Sequence, residues 1–418
     1  MAPFGLLLAT IALAPLFFGG WWGKHYPKVA GSLGAVTLAY YLFGLQAHQE
    51  VLHTAHEYVS FIALIGALYI VSGGIHITVK GEATPWENVR FLFVGAVIAN
   101  FLGTTGASML LIRPWLRMNH YRVTAHHVVF FIFIVANVGG CLTPIGDPPL
   151  FLGYLKGIPF WWVLEHCWPM WVAGVGILLV MFYAVDRRNY LRAPKEVREK
   201  LAEPADQWRC EGLPNLFFLG VILGAVFLND PPFLREGLMV AAAIGSYYTT
   251  RKQIHEANHF NFHPIQEVAI LFAGIFATMM PALDWLQLHA NAGNMSPAFF
   301  FWGSGTLSSV LDNAPTYLSF LQVAQAQPDV LTNMMKEGGQ LQALLGNPSA
   351  SQILVALSIG SVFFGANTYI GNGPNFMIKA IANHQKIHTP TFLGYVFKFT
   401  LPFMLPMLLV VWWIFFRA

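Results

Sequence analysis

The chain has 418 residues, 56% of them hydrophobic and only 10% charged, and a net charge of +3. Ordinary soluble domains carry about 25% charged residues, so this composition excludes a soluble globular fold. It implies an all-α polytopic membrane protein, with the lipid bilayer as its surroundings and no nucleic-acid partner. Cys141, Cys167 and Cys210 are far apart and match no metal or redox spacing; they read as small apolar residues. Met1 to Leu13 has no basic residue before its apolar run, which argues for a first span rather than a cleaved signal peptide.

Apolar segments fall at about 4–22, 29–46, 58–76, 91–112, 124–156, 159–185, 213–229, 233–249, 266–282, 297–321, 351–380 and 391–416. Two are unusual. Segment 91–112 holds Asn100, Thr104, Thr105 and Ser108 around Gly103 and Gly106. Segment 297–321 holds Ser304, Thr306, Ser308, Ser309, Asp312 and Asn313, then Pro315. Each is long enough to span, but its middle is polar and rich in helix breakers. Both read as re-entrant hairpins whose tips line a protein cavity. Two further segments are broken. Thr143-Pro144-Ile145-Gly146-Asp147-Pro148-Pro149 has prolines that remove donors and interrupt a helix. Thr368-Tyr369-Ile370-Gly371-Asn372-Gly373-Pro374 repeats its pattern.

About ten spans and two hairpins place most of the basic residues on one side. These are Lys24, Lys28, Lys80, Arg90, Arg113, Arg117 and Arg122, those of the 186–212 stretch (Lys195, Arg198 and Lys200 among them), Arg251, Lys252, Lys379 and Lys386. The positive-inside rule makes that side cytoplasmic and puts both termini outside. Stretches 46–57 and 322–350 share one basic residue, Lys336, and fall outside. The polar insert 322–350 reads as an external loop with at most a short surface helix.

Each half reads span, span, span, hairpin, broken span, span. His53-x-x-x-Glu57 in the first half resembles His263-x-x-x-Glu267 in the second. An odd number of spans per half makes the repeat inverted. The parts are residues 1–185, a solvated connector at 186–212, and residues 213–418. The two H-x-x-x-E pairs lie at span ends and read as interfacial hydrogen-bonding groups, with metal binding as the other possibility. Arg113 and Arg117 read as interface anchors, and Trp21, Trp22, Trp161, Trp162, Trp412 and Trp413 as aromatic belts.

Four polar clusters should converge near the midplane: 104–108, 143–149, 308–315 and 368–375. A broken helix exposes N–H groups at one end and C=O groups at the other; the first can hold an anion, the second a cation. Oxygens of Thr, Ser and Asn complete a shell for a hard ion such as Na⁺. Asp147 and Asp312 are the only carboxylates in these clusters. A carboxylate at membrane depth is costly and marks an ion path or proton relay. The plain alternative is that each caps the half-helix that follows it. No His lies in the clusters, so an intramembrane enzyme is not expected.

These motifs resemble the ion transporter superfamily, on its ArsB/NhaD-like branch, which is related to citrate and arsenite transporters. Gly103 to Pro114 looks like the family's first hairpin and Asn137 to Pro149 like its first broken helix. Ser308 to Pro315 looks like the second hairpin, and Asn367 to Asn375 like the second broken helix. The resemblance implies an inverted-repeat fold, a homodimer with a rigid scaffold, and an elevator-like moving domain in the cell inner membrane. Its implied ion or substrate ligands are Thr104, Thr105, Ser108, Asn137, Thr143, Asp147, Ser309, Asp312, Asn313, Asn367, Thr368, Asn372 and Asn375. The expected activity is Na⁺/H⁺ antiport, with Asp147 and Asp312 as the sodium-binding, exchanging carboxylates and no cofactor beyond the ions themselves. The alternative is a cation-coupled carboxylate or oxyanion transporter. The S-N-T signature of the carboxylate symporters is absent from both hairpins.

Overall fold

Long apolar runs without internal water contact must pair their backbone groups within each segment, and helices do so. The computed structural model describes residues 1–78, 83–192, 209–228, 230–289, 295–337 and 339–417. Lys80, Lys195, Arg198 and Lys200, used above for sidedness, lie outside these residues, as does most of the 186–212 connector. The first half comprises α1 (Ala2–Phe17), α2 (Gly19–Ala39), α3 (His48–Gly73), α4 (Pro85–Met118), α5 (Ala125–Ile134), α6 (Pro148–Leu155) and α7 (Phe160–Arg192). The second half comprises α8 (Asn215–Ala225), α9 (Leu234–Thr249), α10 (His263–His289), α11 (Pro297–Ser308) and α12 (Asn313–Gln325). Then come α13 (Pro328–Glu337), α14 (Gln340–Gly346), α15 (Pro348–Phe364), α16 (Gly373–His384) and α17 (Phe392–Phe415). Among the described residues the only sheet is a two-stranded ribbon, β1 (His76–Thr78) against β2 (Arg209–Glu211), antiparallel. The protein is an all-α polytopic membrane protein, with six helices long and apolar enough to cross a bilayer.

One of those six does not cross. α4 has 34 residues, but Gly103 inside it has φ +70° and ψ 158°, and the chain reverses there. Its two arms face each other along their length. Asn88 and Asn119 exchange hydrogen bonds of 2.8 and 3.0 Å. Phe91 stacks on Trp115 at 5.4 Å, and Gly95 faces Leu111. Gly103 takes a backbone conformation that other residues rarely adopt, and an added Cβ would lie 3.2 Å from the Ile145 carbonyl oxygen. The second hairpin is α11 and α12. Its arms meet through Phe299 and Phe320, with ring centroids 6.1 Å apart, and through Gly303 beneath Phe320. Asp312 turns the chain as the N-cap of α12, its Oδ1 accepting from Ala314 N at 3.0 Å.

α5 and α6 form the first broken helix, and α15 and α16 the second. The element order of the first half therefore recurs in the second. α2 and α10 approach closely where Ala30 and Gly34 meet Gly274 and Ala277. Small residues of this kind let membrane helices pack backbone to backbone. α3 joins them by stacking Phe61 on Phe272, 4.6 Å apart. α11 lies along α15, where an added Cβ on Gly360 would lie 2.6 Å from the Phe301 carbonyl oxygen.

Three features differ from the sequence reading. The second span begins at Gly19, so Lys24 and Lys28 sit on the first turns of α2 rather than in a loop. Glycines and a proline do not prevent a helix where neighbouring apolar residues can pack. The 322–350 insert folds into α13 and α14, and Leu341, Ala343 and Leu344 are buried. Finally, α7 runs on through Arg192, and Asp186 is not solvated but fully buried. Both Asp186 oxygens bind the Arg122 guanidinium, with Nη2 2.9 Å from Oδ2. His126 and His127 each place Nε2 3.1 Å from Oδ1, and Asn88 donates to Oδ2 at 2.9 Å. This cluster ties the base of the first hairpin to α5 and α7.

Removing one partner of a buried ion pair leaves an uncompensated charge and costs about 3–5 kcal/mol. Asp186→Ala should therefore lower the thermal unfolding midpoint of the purified protein far more than Asp329→Ala on α13. Equal melting of the two variants would contradict a locking role for this cluster.

Candidate functional site

Asp147 begins α6, but its side chain makes no capping hydrogen bond to that helix. It points instead into the centre of the four clusters and is 1% exposed. Three donors from three segments meet it. Thr104 at the first hairpin tip donates its hydroxyl to Oδ1 at 2.8 Å. Asn372 of the second break donates to the same oxygen at 2.9 Å. Asn313 at the second hairpin tip donates to Oδ2 at 2.6 Å. No Lys, Arg or His side chain hydrogen-bonds or pairs with Asp147 among the described contacts. Its partners are all neutral donors.

Around this carboxylate lies a second tier of amides. Asn137 donates to Asn375 Oδ1 at 2.7 Å and to the Ile132 carbonyl at 2.9 Å. Its own oxygen accepts from Asn372 at 3.2 Å. Asn375 donates to the Gly365 and Thr368 carbonyls at 2.8 and 2.9 Å. The carbonyls freed by each helix break are thus partly satisfied by Asn side chains, as buried backbone polar groups require.

The two breaks are built alike. Thr143 donates to the Asn100 carbonyl at 2.7 Å and accepts from Gly146 N at 3.2 Å. Thr368 donates to the Ser309 carbonyl at 2.5 Å and accepts from Ile370 N at 3.2 Å. Each Thr binds its break to the adjacent hairpin. Each break also folds back on itself through glycine. A Cβ added to Gly146 would lie 2.0 Å from the Gly140 carbonyl oxygen; one on Gly371 would lie 2.6 Å from that of Gly365. No side chain fits at either position.

The thirteen residues singled out from sequence divide as follows. Thr104, Asn137, Asp147, Asn313, Asn372 and Asn375 form the network just described. Ser309 and Asn367 are joined beside it, Asn367 donating to the Ser309 hydroxyl at 2.9 Å, with Thr368 alongside. Thr143 serves the backbone of the break. Asp312 is a half-buried N-cap and is the neighbour of Asn313, not a partner of Asp147 in any described hydrogen bond. Thr105 lines a cavity of about 20 Å³ with Thr104, Asp147 and Leu64 and Leu68 of α3. That volume is enough for about one water or small ion. Ser108 is buried two turns or less from the tip, and its hydroxyl has no protein partner. Asn313 Oδ1 and Asn367 Oδ1 are also buried acceptors without a protein partner.

Asn100 belongs to the site but is absent from the ligands expected by sequence. Its amide donates to the Gly139 carbonyl at 2.7 Å, and its oxygen accepts from Leu142 N at 2.9 Å. It clamps the first break to the first hairpin arm. The signal was its position one turn before Gly103 in an otherwise apolar arm. Trp171 of α7 also donates to Gly139 O, at 2.8 Å. In the second half Thr400 and Tyr395 of α17 donate to the Asn367 and Ala366 carbonyls, at 2.7 and 2.8 Å. The H-x-x-x-E reading is refined as well: Glu57 pairs with Lys156 at 2.7 Å, while His53 lies 3.5 Å away. His126, His127 and Asp186 are close enough together to hold a metal ion. The guanidinium on both Asp186 oxygens makes that cluster an ion-paired brace instead.

Gly146→Ala should force Gly140 and Gly146 apart and pull Asp147 from Thr104. The expected result is loss of transport together with a lower melting temperature. The same change at Gly176, where an added Cβ meets nothing within 4 Å, should leave both unchanged.

A search among curated proteins finds no match. A family comparison does: residues 1–416 match the family described as "putative citrate transport". Broken helices, paired hairpins and a match over essentially the whole chain agree, and the protein belongs to that family of secondary transporters.

Proposed function

We propose that the protein is a cation-coupled transporter of small carboxylates of the citrate class, working at the Asp147 network. The observation that carries this reading is the chemistry of that network, taken with the family. A buried carboxylate is held by three neutral donors, and buried amide oxygens of Asn313 and Asn367 remain without protein partners beside it. Oxygens in this arrangement suit a hard cation or a proton, which would offset the Asp147 charge at membrane depth. The N-terminus of α16, which opens on Gly373, supplies an N–H group and a positive dipole end for a carboxylate substrate, while α6, which opens on Pro148 and Pro149, supplies the dipole end alone. Thr105, Ser108, Ser309, Thr368 and the remaining Asn residues are the proposed polar lining, with Asp312 beside the second tip. The proposed setting is the cell inner membrane, as a homodimer with an elevator-like movement of the hairpin-bearing part, and with Na⁺ or H⁺ as the coupling ion.

A second reading keeps the same site and changes the cargo. Asp147 has no basic partner to neutralise a bound anion, and this favours cation exchange, a Na⁺/H⁺ antiporter of the ArsB/NhaD-like branch. The two readings separate in proteoliposomes. Labelled citrate uptake driven by an inward Na⁺ or proton gradient supports the first. Proton movement driven by Na⁺ without citrate uptake supports the second. Absence of both would reject the site as a transport site.

Asp147→Asn keeps the shape and removes the charge. Gradient-driven transport should fall to background while the melting temperature changes little; parental coupling in this variant would overturn the role given to Asp147. Asn313→Ala removes one charge-assisted hydrogen bond, about 1.5–3 kcal/mol. A carboxylate with one donor fewer holds a proton more tightly, so where H⁺ is the coupling ion its half-saturating concentration should fall by roughly tenfold to a hundredfold, whereas loss of the Asn313 oxygen should raise that of Na⁺.

A further inference from the structure

Away from the Asp147 network, an open surface cleft of about 410 Å³ lies where α16 ends and the chain turns toward α17. It is lined by Lys379, Asn383, Lys386, His388, Thr389 and Thr391, together with apolar backbone neighbours. The cleft is wide enough to admit a small charged group or a lipid headgroup, which would stay partly open to solvent. No carboxylate lines it. Lys379 is half-buried and lies over the Tyr369 ring, 4.2 Å from its centroid. That contact holds the ammonium in place without neutralising it. Tyr369 is itself fixed by donating to the Pro390 carbonyl at 3.2 Å. Asn383 Oδ1 already accepts from the Thr389 hydroxyl at 2.8 Å, so the amide N–H₂ is the end left for a ligand. Lys386 and His388 are exposed at the rim. Two ammonium groups, an imidazole and an amide therefore face one space. Its chargeable side chains are cationic or donating, and none is anionic.

The geometry points to a second binding site here, for an oxyanion carrying two or more negative charges. Either a free polycarboxylate or a phosphate-bearing lipid headgroup has that chemistry, and both would bind by charge-assisted hydrogen bonds from Lys379, Lys386 and Asn383. Lys379 is six positions into α16, about 9 Å along the helix axis from Gly373. Gly373 directly follows Asn372 of the Asp147 network. The anion site and the Asp147 network are thus the two ends of one short helix. The site does not depend on which species is transported, because it is defined by its own donors.

The test measures binding, and the lysine variants distinguish a ligand held here from one held at the Asp147 network. The full chain is placed in nanodiscs of phosphatidylcholine alone or of phosphatidylcholine with about one-tenth cardiolipin. Citrate is titrated into the first by calorimetry, and cardiolipin retained by the second is read by native mass spectrometry. One of the two should bind saturably. Lys379→Gln combined with Lys386→Gln should weaken that binding at least about tenfold, and added salt should weaken the parent's binding too. Gly176→Ala, where an added Cβ meets nothing within 4 Å, should bind as the parent does. Citrate binding identifies a free polycarboxylate site, and cardiolipin retention identifies a lipid site. The single change Lys386→Glu, on an exposed residue, should act in the same direction even if the double variant is poorly made. Binding of neither probe, unchanged binding in the lysine variants, or equal loss in Gly176→Ala would overturn the proposal.

Discussion

One carboxylate, Asp147, has to be satisfied at membrane depth, and the rest of the centre is arranged around that requirement. An isolated buried charge is expensive, and each unpaired buried polar group adds to the cost. The protein meets the demand with Thr104, Asn313 and Asn372, one each from the first hairpin, the second hairpin and the second break. None of these donors is near Asp147 in sequence. The carboxylate therefore acts as a tie between the two halves, and the tie exists only when both hairpin tips and both breaks are in register. A donor set drawn from one helix would have satisfied the charge without coupling anything.

Glycine makes that register possible. The breaks fold so tightly that Gly140 and Gly146 in one half, and Gly365 and Gly371 in the other, bring backbone against backbone. Matching threonines then fasten each break to its hairpin through one carbonyl. The local frame is thus symmetric, while the charge within it is not. Asn372 stands where the first break has Asp147, and it donates to Asp147 itself. Had both positions been Asp, two carboxylates would face each other without a proton or cation between them, and like charges at that distance repel. The Asn makes the pair a donor and an acceptor. A single carboxylate is left at the centre, held by three neutral donors.

Much of this is legible in the sequence. Gly103, the polar runs at 104–108 and 308–315, and the repeated T-x-I-G motif marked both hairpins and both breaks. The reason is physical: polar and helix-breaking residues have few uses in lipid, so they report a protein-lined cavity directly. What stayed hidden depends on which neighbour a side chain meets. Asp147 and Asp312 both precede a helix, and sequence allowed both to cap. Only Asp312 does so, because Ala314 N lies within reach and no tip donors converge on it. Asp186 looked like one charge among thirteen in a polar connector, whereas α7 carries it inward to meet Arg122. Asn100 counted as a sign of a hairpin, not as a clamp, since its acceptors at Gly139 and donor at Leu142 are some forty residues away in the chain.

The contacts between the hairpin-bearing part and its surroundings are of a different kind from those inside it. Inside, amide and hydroxyl hydrogen bonds of fixed geometry predominate around Asp147. Toward α3, the small cavity beside Asp147 is walled by Leu64, Ile65 and Leu68, side chains that offer no hydrogen bonds. Apolar contacts are not directional, so this wall fixes the orientation of Asp147 less than its hydrogen bonds do. A polar tie beside α3 is the Glu57–Lys156 pair, 2.7 Å long, with Glu57 buried and Lys156 partly buried. The three donors of Asp147 all come from the hairpins and the second break, so the hydrogen bonds that hold the carboxylate do not depend on α3.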